Sequence, residues 1–505
     1  MLLKLLSLML AMVFSLVFVI CVSILGNILF LRWKYRHLPC PKMKSFLLGH
    51  AVEVGELTKK GGHVSMLVDK WRRIYGSVYV LFFINQVTVM CLEPSVVKEL
   101  LINSSSSKPR NFYGVFHSVF GKRLAGNGLF SELNNDNWAK KRKMFNPAFK
   151  RGYLVKLMDQ YNDSVSELVI HLRPKADGKS EILMADQLNK VALDIIGKVA
   201  FGLNNLNVIS DDEAPFCRAV TQIFTGAMAQ LRLSFIGTID PRESVRTLRK
   251  KTTEAIDLLR KTGNLCIADR IKAINEGREY PPDILTYILQ ASNNLQASSE
   301  FGMQEMIDEF VTFFVAGQET TAQLMSFFYE LVGRNPDVYN KVQEEVDFVI
   351  GNKPTITYED ISKLDYMNLV LKEVLRYTPP AVGVQRVAPQ DLVINGYKIP
   401  AGTAIMLNHY ALGRDERFWD EPEKFDPERF RDEDKRRNCA YFPFSLGPRV
   451  CIGQQFAMIE AKVIIAKLVQ CFDFKLVPGV KLLFIPEVTL KSKNRTPLYL
   501  TLRKI

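Results

Sequence analysis

The stretch from Leu5 to Phe30 constrains this chain more than any other feature. It is almost wholly apolar, broken only by Ser7, Ser15, Ser23, Gly26 and Asn27. About 20 helical residues cross a bilayer core of about 30 Å, so the run is long enough to span once. The alternative is a cleaved signal peptide, whose apolar part is about 7–15 residues and ends at a small-residue cleavage site. This run is longer and shows no clear site. Arg32, Lys34 and Arg36 come after it, against only Lys4 before it. Positive charge prefers the cytoplasmic side, which predicts a lumenal N-terminus and a cytosolic body. Two prolines, Pro39 and Pro41, then fix an extended segment. Residues 1–31 therefore read as a transmembrane anchor and 32–41 as a basic, proline-containing linker. No linker-like shift in composition occurs beyond it, so 42–505 reads as one large domain.

Composition narrows the partners. The chain has 505 residues, 48% of them hydrophobic, and a formal net charge of +13. A basic surface attracts nucleic acid, anionic lipid or an acidic protein. Nucleic-acid motifs are absent, so a lipid membrane and an acidic redox partner are expected and nucleic acid is not. The eight cysteines form no C-x-x-C pair, which argues against a zinc or iron–sulfur cage. Such scattered cysteines read as free thiols in a reducing compartment. Asn103, Asn162 and Asn494 begin sequons, which stay unmodified on a cytosolic body. Apolar residues recur at helical intervals over 94–102, 153–172, 184–201, 245–276 and 303–333. Strand-like runs occur only at 78–89 and 498–502, and 293–300 is polar and reads as a loop. Pro400 to Thr403 reads as a turn between strands. The fold class is mainly α with small β sheets.

The sharpest local signal is the segment carrying Phe444, Gly447, Arg449, Cys451 and Gly453. Its glycines permit tight turns and close approach to a flat ligand. Cys451 lies just before a helical stretch starting at Gln454, and helix N-terminal amides favour a thiolate. Arg449 is suited to a bidentate bond with a carboxylate of the ligand. A core cysteine beside a glycine turn is the plain alternative for a lone cysteine.

These five positions match the F-x-x-G-x-R-x-C-x-G signature, and the chain resembles the cytochrome P450 family of haem-thiolate monooxygenases. Glu373 and Arg376 resemble the family's E-x-x-R, and Arg429, in Asp426–Phe430, the arginine that joins that pair. These three are expected to be structural. Trp138 and Arg142 match the family's W-x-x-x-R, used on a haem propionate, and Arg386 falls where another propionate-binding residue often stands. The resemblance implies the family's fold behind the anchor, in the endoplasmic reticulum membrane as a single-pass protein. It implies haem b held by Cys451, with Phe444, Arg449 and Gly453 around it. It also implies electrons from NADPH delivered through NADPH-cytochrome P450 reductase. Lys140, Lys141 and Lys143 read either as a solvated helix face or as a dock for that reductase. One departure is Pro39-Cys40-Pro41, where many members carry Pro-Gly-Pro.

The segment from Phe310 to Thr321 resembles the family's oxygen-handling helix with its A-G-x-E-T core. Small Ala316 and Gly317 would let that helix approach haem. Thr320 can bond the Ala316 carbonyl, and Glu319 with Thr320 forms an acid–alcohol pair for proton delivery, marked as catalytic. Proton relay needs groups within hydrogen-bond reach, directly or through water. A polar patch on a buried helix is the plain alternative.

Within the family, segments such as Phe120–Leu129, Val311–Gly317 and Tyr441–Gly447 look like the cholesterol 24-hydroxylase branch. Gln318 and Thr321 depart from that branch. The resemblance implies a lipophilic substrate, a sterol by preference. Pocket candidates by family position are Phe112, Tyr113 and Phe116 near the first third of the chain. Phe310, Phe313 and Ala316 come from the long helix. Ala381, Val382 and Gly383 form a third group, and Val488 with Thr489 a fourth. An apolar, aromatic lining suits a sterol. A xenobiotic or fatty-acid oxidase on the same centre is the first rival. A haem carrier or sensor without turnover is the second, and the Glu319–Thr320 pair argues against it.

Overall fold

The computed structural model describes residues 2–104, 106–204, 206–211, 214–233, 240–294, 302–432 and 434–503. Its first helix, Leu2–Lys34, carries no acidic residue in its first turn and has Arg32 and Lys34 in its last. Within the span Lys4–Lys34 the most apolar window has a mean hydropathy of 3.0 and none of it is buried. It is the one helix among the described residues long and apolar enough to cross a membrane.

The helix runs past the expected boundary at residue 31, and its last turn and the residues beyond it are fastened to the body. The Arg32 guanidinium lies 4.8 Å from the ring centroids of both Phe46 and Phe82. It also donates to the Phe46 carbonyl at 2.5 Å. Tyr35 and Leu38 are buried, and the Tyr35 and Thr403 hydroxyls are hydrogen-bonded at 2.8 Å. Desolvated cation–π and hydroxyl contacts of this kind each contribute on the order of 1 kcal/mol. They fix the direction in which the first helix leaves the rest of the fold.

Most expected helices are present with edited ends. Met184–Ile195 passes into a π-helical turn, Ile196–Ala200, and Pro94–Lys98 into another, Glu99–Asn103. The run 153–172 divides into short pieces before a regular helix, Met158–Leu172. The helix Ile284–Asn294 takes the first two residues of the expected loop, and residues 295–300 lie outside the described set. Asn162 is buried and bonds Ile356 through both backbone groups, so that sequon is structural.

Strands are few. A four-stranded sheet orders Val78–Phe83, Gln86–Cys91, Ala404–Asn408 and Gly383–Val387. The expected single run 78–89 is a hairpin because the chain turns at Ile84, which has φ 54°. A three-stranded sheet joins Phe472–Leu476, Pro497–Leu502 and Ile182–Leu183. A two-stranded hairpin pairs Phe484–Pro486 with Leu490–Ser492.

The long helix Met303–Val332 is the spine of the helical core. It packs on Met184–Ile195, Glu243–Glu276 and Gln454–Cys471. A second apolar cluster lies under the four-stranded sheet. Phe442 belongs to that second cluster and Phe444 packs on the first. The segment leading to Cys451 therefore bridges the two cores.

Glu373, Arg376 and Arg429 form the network expected of them. Arg376 and Glu373 are fully buried and joined by two bonds of 2.6 Å. Arg376 also donates to the carbonyls of Gly413, Pro422 and Lys424. Arg429 reaches Glu373 at 3.1 Å and the Asp420 carbonyl at 2.9 Å.

Candidate active site

The cysteine loop is shaped by one close backbone approach. Gly447 has φ +69°, and a Cβ there would stand 1.8 Å from the Leu101 carbonyl oxygen. Only glycine fits both demands. The turn continues with Val450 N–H donating to Gly447 and Cys451 N–H donating to Phe444 at 2.8 Å. Gly453 then precedes the helix Gln454–Cys471. A Cβ at Gly453 would meet only Cys451 Sγ, at 3.9 Å, so the thiol keeps a clear flank. Cys451 has an exposed surface yet sits inside a recess of protein, and burial pushes its thiol pKa up. The Gly453 backbone N–H and Arg142 act the other way and favour the thiolate.

Cations converge beside this loop. Burial, then Arg386, push the Arg449 pKa down to about 10. Burial, then Arg449 and Arg386, push Lys108 well below the usual ammonium range. Burial likewise lowers Arg386. Among the described residues, none of the three pairs with a carboxylate. Their partners are neutral: Arg449 donates to the Glu132 carbonyl at 3.0 Å and to Asn135 Oδ1 at 2.7 Å. Lys108 donates to the Phe130 carbonyl at 2.6 Å. Arg386 donates to the Gln385 carbonyl at 2.9 Å. Trp138 is buried under the Arg449 guanidinium at 4.5 Å. Arg142 bonds the Val450 carbonyl at 2.6 Å and Asn146. Enclosed like charges cost energy unless a ligand neutralises them. A dianionic cofactor with two carboxylates and an iron that takes sulfur fits this donor set.

In the middle of the long helix Ala316 is exposed, with Thr320 half-exposed one turn on. Thr320 Oγ1 donates to the Ala316 carbonyl at 2.8 Å. Gly317 points elsewhere: a Cβ there would meet Ile196 at 3.1 Å. Its smallness serves helix packing, and of the two only Ala316 is exposed. Glu319 is buried and pairs with Lys491. Burial raises its carboxyl pKa despite that partner. Adjacent helical residues do not face each other, so Glu319 and Thr320 are not joined directly. Gln318 bonds Asn189 at 2.7 Å.

The pocket candidates divide. Phe112, Tyr113 and Phe116 form an aromatic cluster with Phe130, ring centroids 5.0–5.8 Å apart. Tyr113 also lies 4.7 Å beneath Lys108. The Leu490 N–H donates to the Pro380 carbonyl at 2.8 Å. That bond brings Val488 and Thr489 beside Ala381, Val382 and Gly383. Ala381 is exposed, Val382, Gly383 and Val488 are half-buried, and Thr489 is buried. Phe313 is buried against Phe145 and Phe149. Phe310 is 1% exposed and packs on Phe201 at 4.3 Å, on a different helical face from Ala316. Sequence reasoning missed Lys108 and Lys491. It also placed Lys141 on an outer basic face, whereas Lys141 is buried and donates to the Asn127 carbonyl.

A reachable cysteine before a helix, cations beside it without a paired carboxylate, and an exposed alanine in mid-helix are the features a haem protein of this kind needs. The chain belongs to the cytochrome P450 family, whose model, described as Cytochrome P450, matches residues 39–501. It is similar to Cytochrome P450 3A6 of Oryctolagus cuniculus, 29% identical over 80% of each chain. Cytochrome P450 3A7 of Homo sapiens is 28% identical over 80% of each. Cytochrome P450 4d2 of Drosophila melanogaster is 29% identical, over 80% of this chain and 83% of its own. The chain is thus a monooxygenase that binds haem b and takes electrons from NADPH through a reductase.

Proposed function

We propose that Cys451 ligates the haem iron through its thiolate and that the enzyme hydroxylates a sterol, in the manner of cholesterol 24-hydroxylase. The observation that carries the haem reading is the set of unmatched cations, Lys108, Arg386 and Arg449, around a reachable thiol. Arg386, Arg449 and Lys108 hold the two propionates, with Trp138 under Arg449. Arg142 braces the Val450 carbonyl and so sets the height of the cysteine loop. Bound there, haem supplies reductive activation of dioxygen, and a thiolate ligand favours O–O cleavage. Ala316 leaves room at the distal face. Thr320 and Glu319 deliver protons there, Glu319 from its unpartnered Oε2. Their separation on the helix requires a water between them.

The aromatic cluster of Phe112, Tyr113 and Phe116 and the apolar segment Ala381–Gly383 support a bulky lipophilic substrate. The sterol assignment rests on the segments Phe120–Leu129, Val311–Gly317 and Tyr441–Gly447. The protein is placed in the endoplasmic reticulum membrane, its N-terminus lumenal and its body cytosolic, where NADPH-cytochrome P450 reductase docks. The test has two arms. Reduced protein with carbon monoxide should give a strongly red-shifted Soret band that Cys451→Ala abolishes; an unchanged band removes Cys451 from the iron. Purified protein with reductase, NADPH and a sterol panel should give a hydroxysterol. Turnover of fatty acids or foreign compounds with no sterol product overturns the sterol reading.

A further inference from the structure

We propose that Glu487, Lys491 and Glu319 form a proton-supply line from the surface to the distal helix, with Lys491 as its moving member. The inference rests on the reading of Glu319 as a proton donor. Lys491 lies on the strand Leu490–Ser492 of the C-terminal hairpin, whose turn carries Val488 and Thr489. Its Nζ pairs with Glu319 Oε1 on one side and on the other lies 2.7 Å from Glu487 Oε2, an ion pair that must turn into hydrogen-bond alignment to pass a proton. Side-chain exposure falls along the line, from 18% at Glu487 through 14% at Lys491 to 4% at Glu319. Beyond Lys491 lies the Phe224 ring, 5.6 Å from Nζ, so the ammonium has no second polar outlet on that side. Glu319 Oε2 and Thr489 Oγ1 are both buried with no full hydrogen bond among the described residues, although the Thr489 hydroxyl lies near enough to favour the Glu319 carboxylate. Buried polar atoms of this kind are normally satisfied by an ordered water. A water there extends the line from Glu319 toward the recess.

The transfer balances. An N–H proton of Lys491 moves to Glu319 Oε1, leaving a neutral amine beside a neutral acid. The amine takes a proton from the carboxylic acid form of Glu487, whose carboxylate is reprotonated from bulk water. No electron moves. A poorly hydrated site favours the neutral pair over two separated charges. Burial raises the Glu319 carboxyl pKa, which brings its protonated form within reach. Lys491 is held protonated by its two carboxylates, so loss and refill must occur together.

A simple clamp and a supply line differ in what arginine does. Arginine keeps the ion pairs, but with a pKa above about 12 it does not release a proton. The full-length enzyme with reductase, NADPH and a turned-over substrate is compared as wild type, Lys491→Arg, Glu487→Gln and Glu319→Gln. Product and hydrogen peroxide per NADPH are measured in H2O and D2O, with the carbon monoxide spectrum and thermal midpoint as checks on folding. Lys491→Arg should fold, bind haem and substrate, and make roughly 10-fold less product per NADPH, as Glu319→Gln does. Glu487→Gln should fold, lose less, and show a larger solvent isotope effect than wild type. If Glu319→Gln is uncoupled while Lys491→Arg couples like wild type, the line is overturned and Lys491 is a clamp. If Glu319→Gln itself stays coupled, the reading of Glu319 fails and the line fails with it. If Lys491→Arg does not fold, Glu487→Gln decides, and wild-type coupling and isotope effect in that variant overturn the proposal.

Discussion

Two groups of largely enclosed arginines among the described residues differ in one respect. Around Glu373 every charge is answered: Arg376 and Arg429 share the carboxylate, and their remaining donors end on backbone carbonyls. Around Arg449 and Arg386 no carboxylate among the described residues forms an ion pair, and Lys108 adds a third cation to the same recess. The first group closes on itself and serves the fold. The second is a cost to the protein alone, because burying charge without a counter-charge is unfavourable. Charge balance, more than burial, separates a structural cluster from one built for a ligand.

The largest effect should come from breaking the closed group. Arg376→Met leaves Glu373 buried with half its partners, and removing one member of a buried ion pair costs about 3–5 kcal/mol. That is a large part of the roughly 5–15 kcal/mol that holds a domain folded. Little or no folded protein is expected, read as the yield of the carbon monoxide band. Arg376→Lys should not restore it, because an ammonium cannot reproduce the bidentate fork. Normal yield from either variant would show that the network is dispensable.

The open group should respond with the opposite sign in the absence of haem. Arg449→Met removes a half-buried cation that no carboxylate among the described residues pairs, so the thermal midpoint of the haem-free protein should hold or rise. Haem retention should fall, since a hydrogen bond between charged groups contributes about 1.5–3 kcal/mol, or roughly 10–100-fold. Transfer of haem to a scavenger protein measures this. Lys108→Met should lose less, because Lys108 keeps a carbonyl and two aromatic rings as partners. A haem-free midpoint that falls with Arg449→Met would place that arginine with the structural group.

Legibility in the sequence divides along the same line. Gly447 was legible because its turn permits few other residues, whereas the Glu373–Arg376 pair was legible only through the family resemblance, since two charges three apart on a helix otherwise read as a surface ion pair. Lys108 was not, since a lone lysine beside aromatics looks like any solvated side chain until the fold encloses it. Lys491 was hidden because its partner Glu319 is remote in sequence and reached only through the hairpin. Phe310 was a pocket candidate by family position, and sequence alone does not show that its ring meets Phe201 instead. The π-helical turns at Glu99–Asn103 and Ile196–Ala200 carry the same apolar pattern as the helices they extend. Hydrophobic periodicity therefore could not mark them.

The smallest effect sharpens the comparison at two neighbouring carboxyls on the long helix. Asp308 is answered by Arg123 at 2.5 Å, Arg260 at 2.9 Å and the Asn127 N–H. Glu309 accepts from the Leu129 N–H, and its Oε1 has no partner among the described residues. Burial pushes its pKa up to about 8, with the Leu129 N–H and Lys141 opposing and Asp308 and Glu305 reinforcing the rise. From the ordinary 4.5 to about 8, the folded protein thus holds a proton that the unfolded chain has released. Stability must fall as pH rises through that window, by up to about 1.4 kcal/mol per unit for one full proton, and level off above it. Glu309→Gln keeps an acceptor for Leu129 and cannot titrate. Its stability in detergent, read from the thermal midpoint, should therefore gain on wild type between pH 6 and pH 8 by about 2 kcal/mol. Asp308→Asn should do the reverse of a rescue, since it strips the counter-charge from two arginines and lowers the midpoint throughout. Parallel curves for Glu309→Gln and wild type would mean that Lys141 answers Glu309 fully, and that this carboxyl belongs with the closed group.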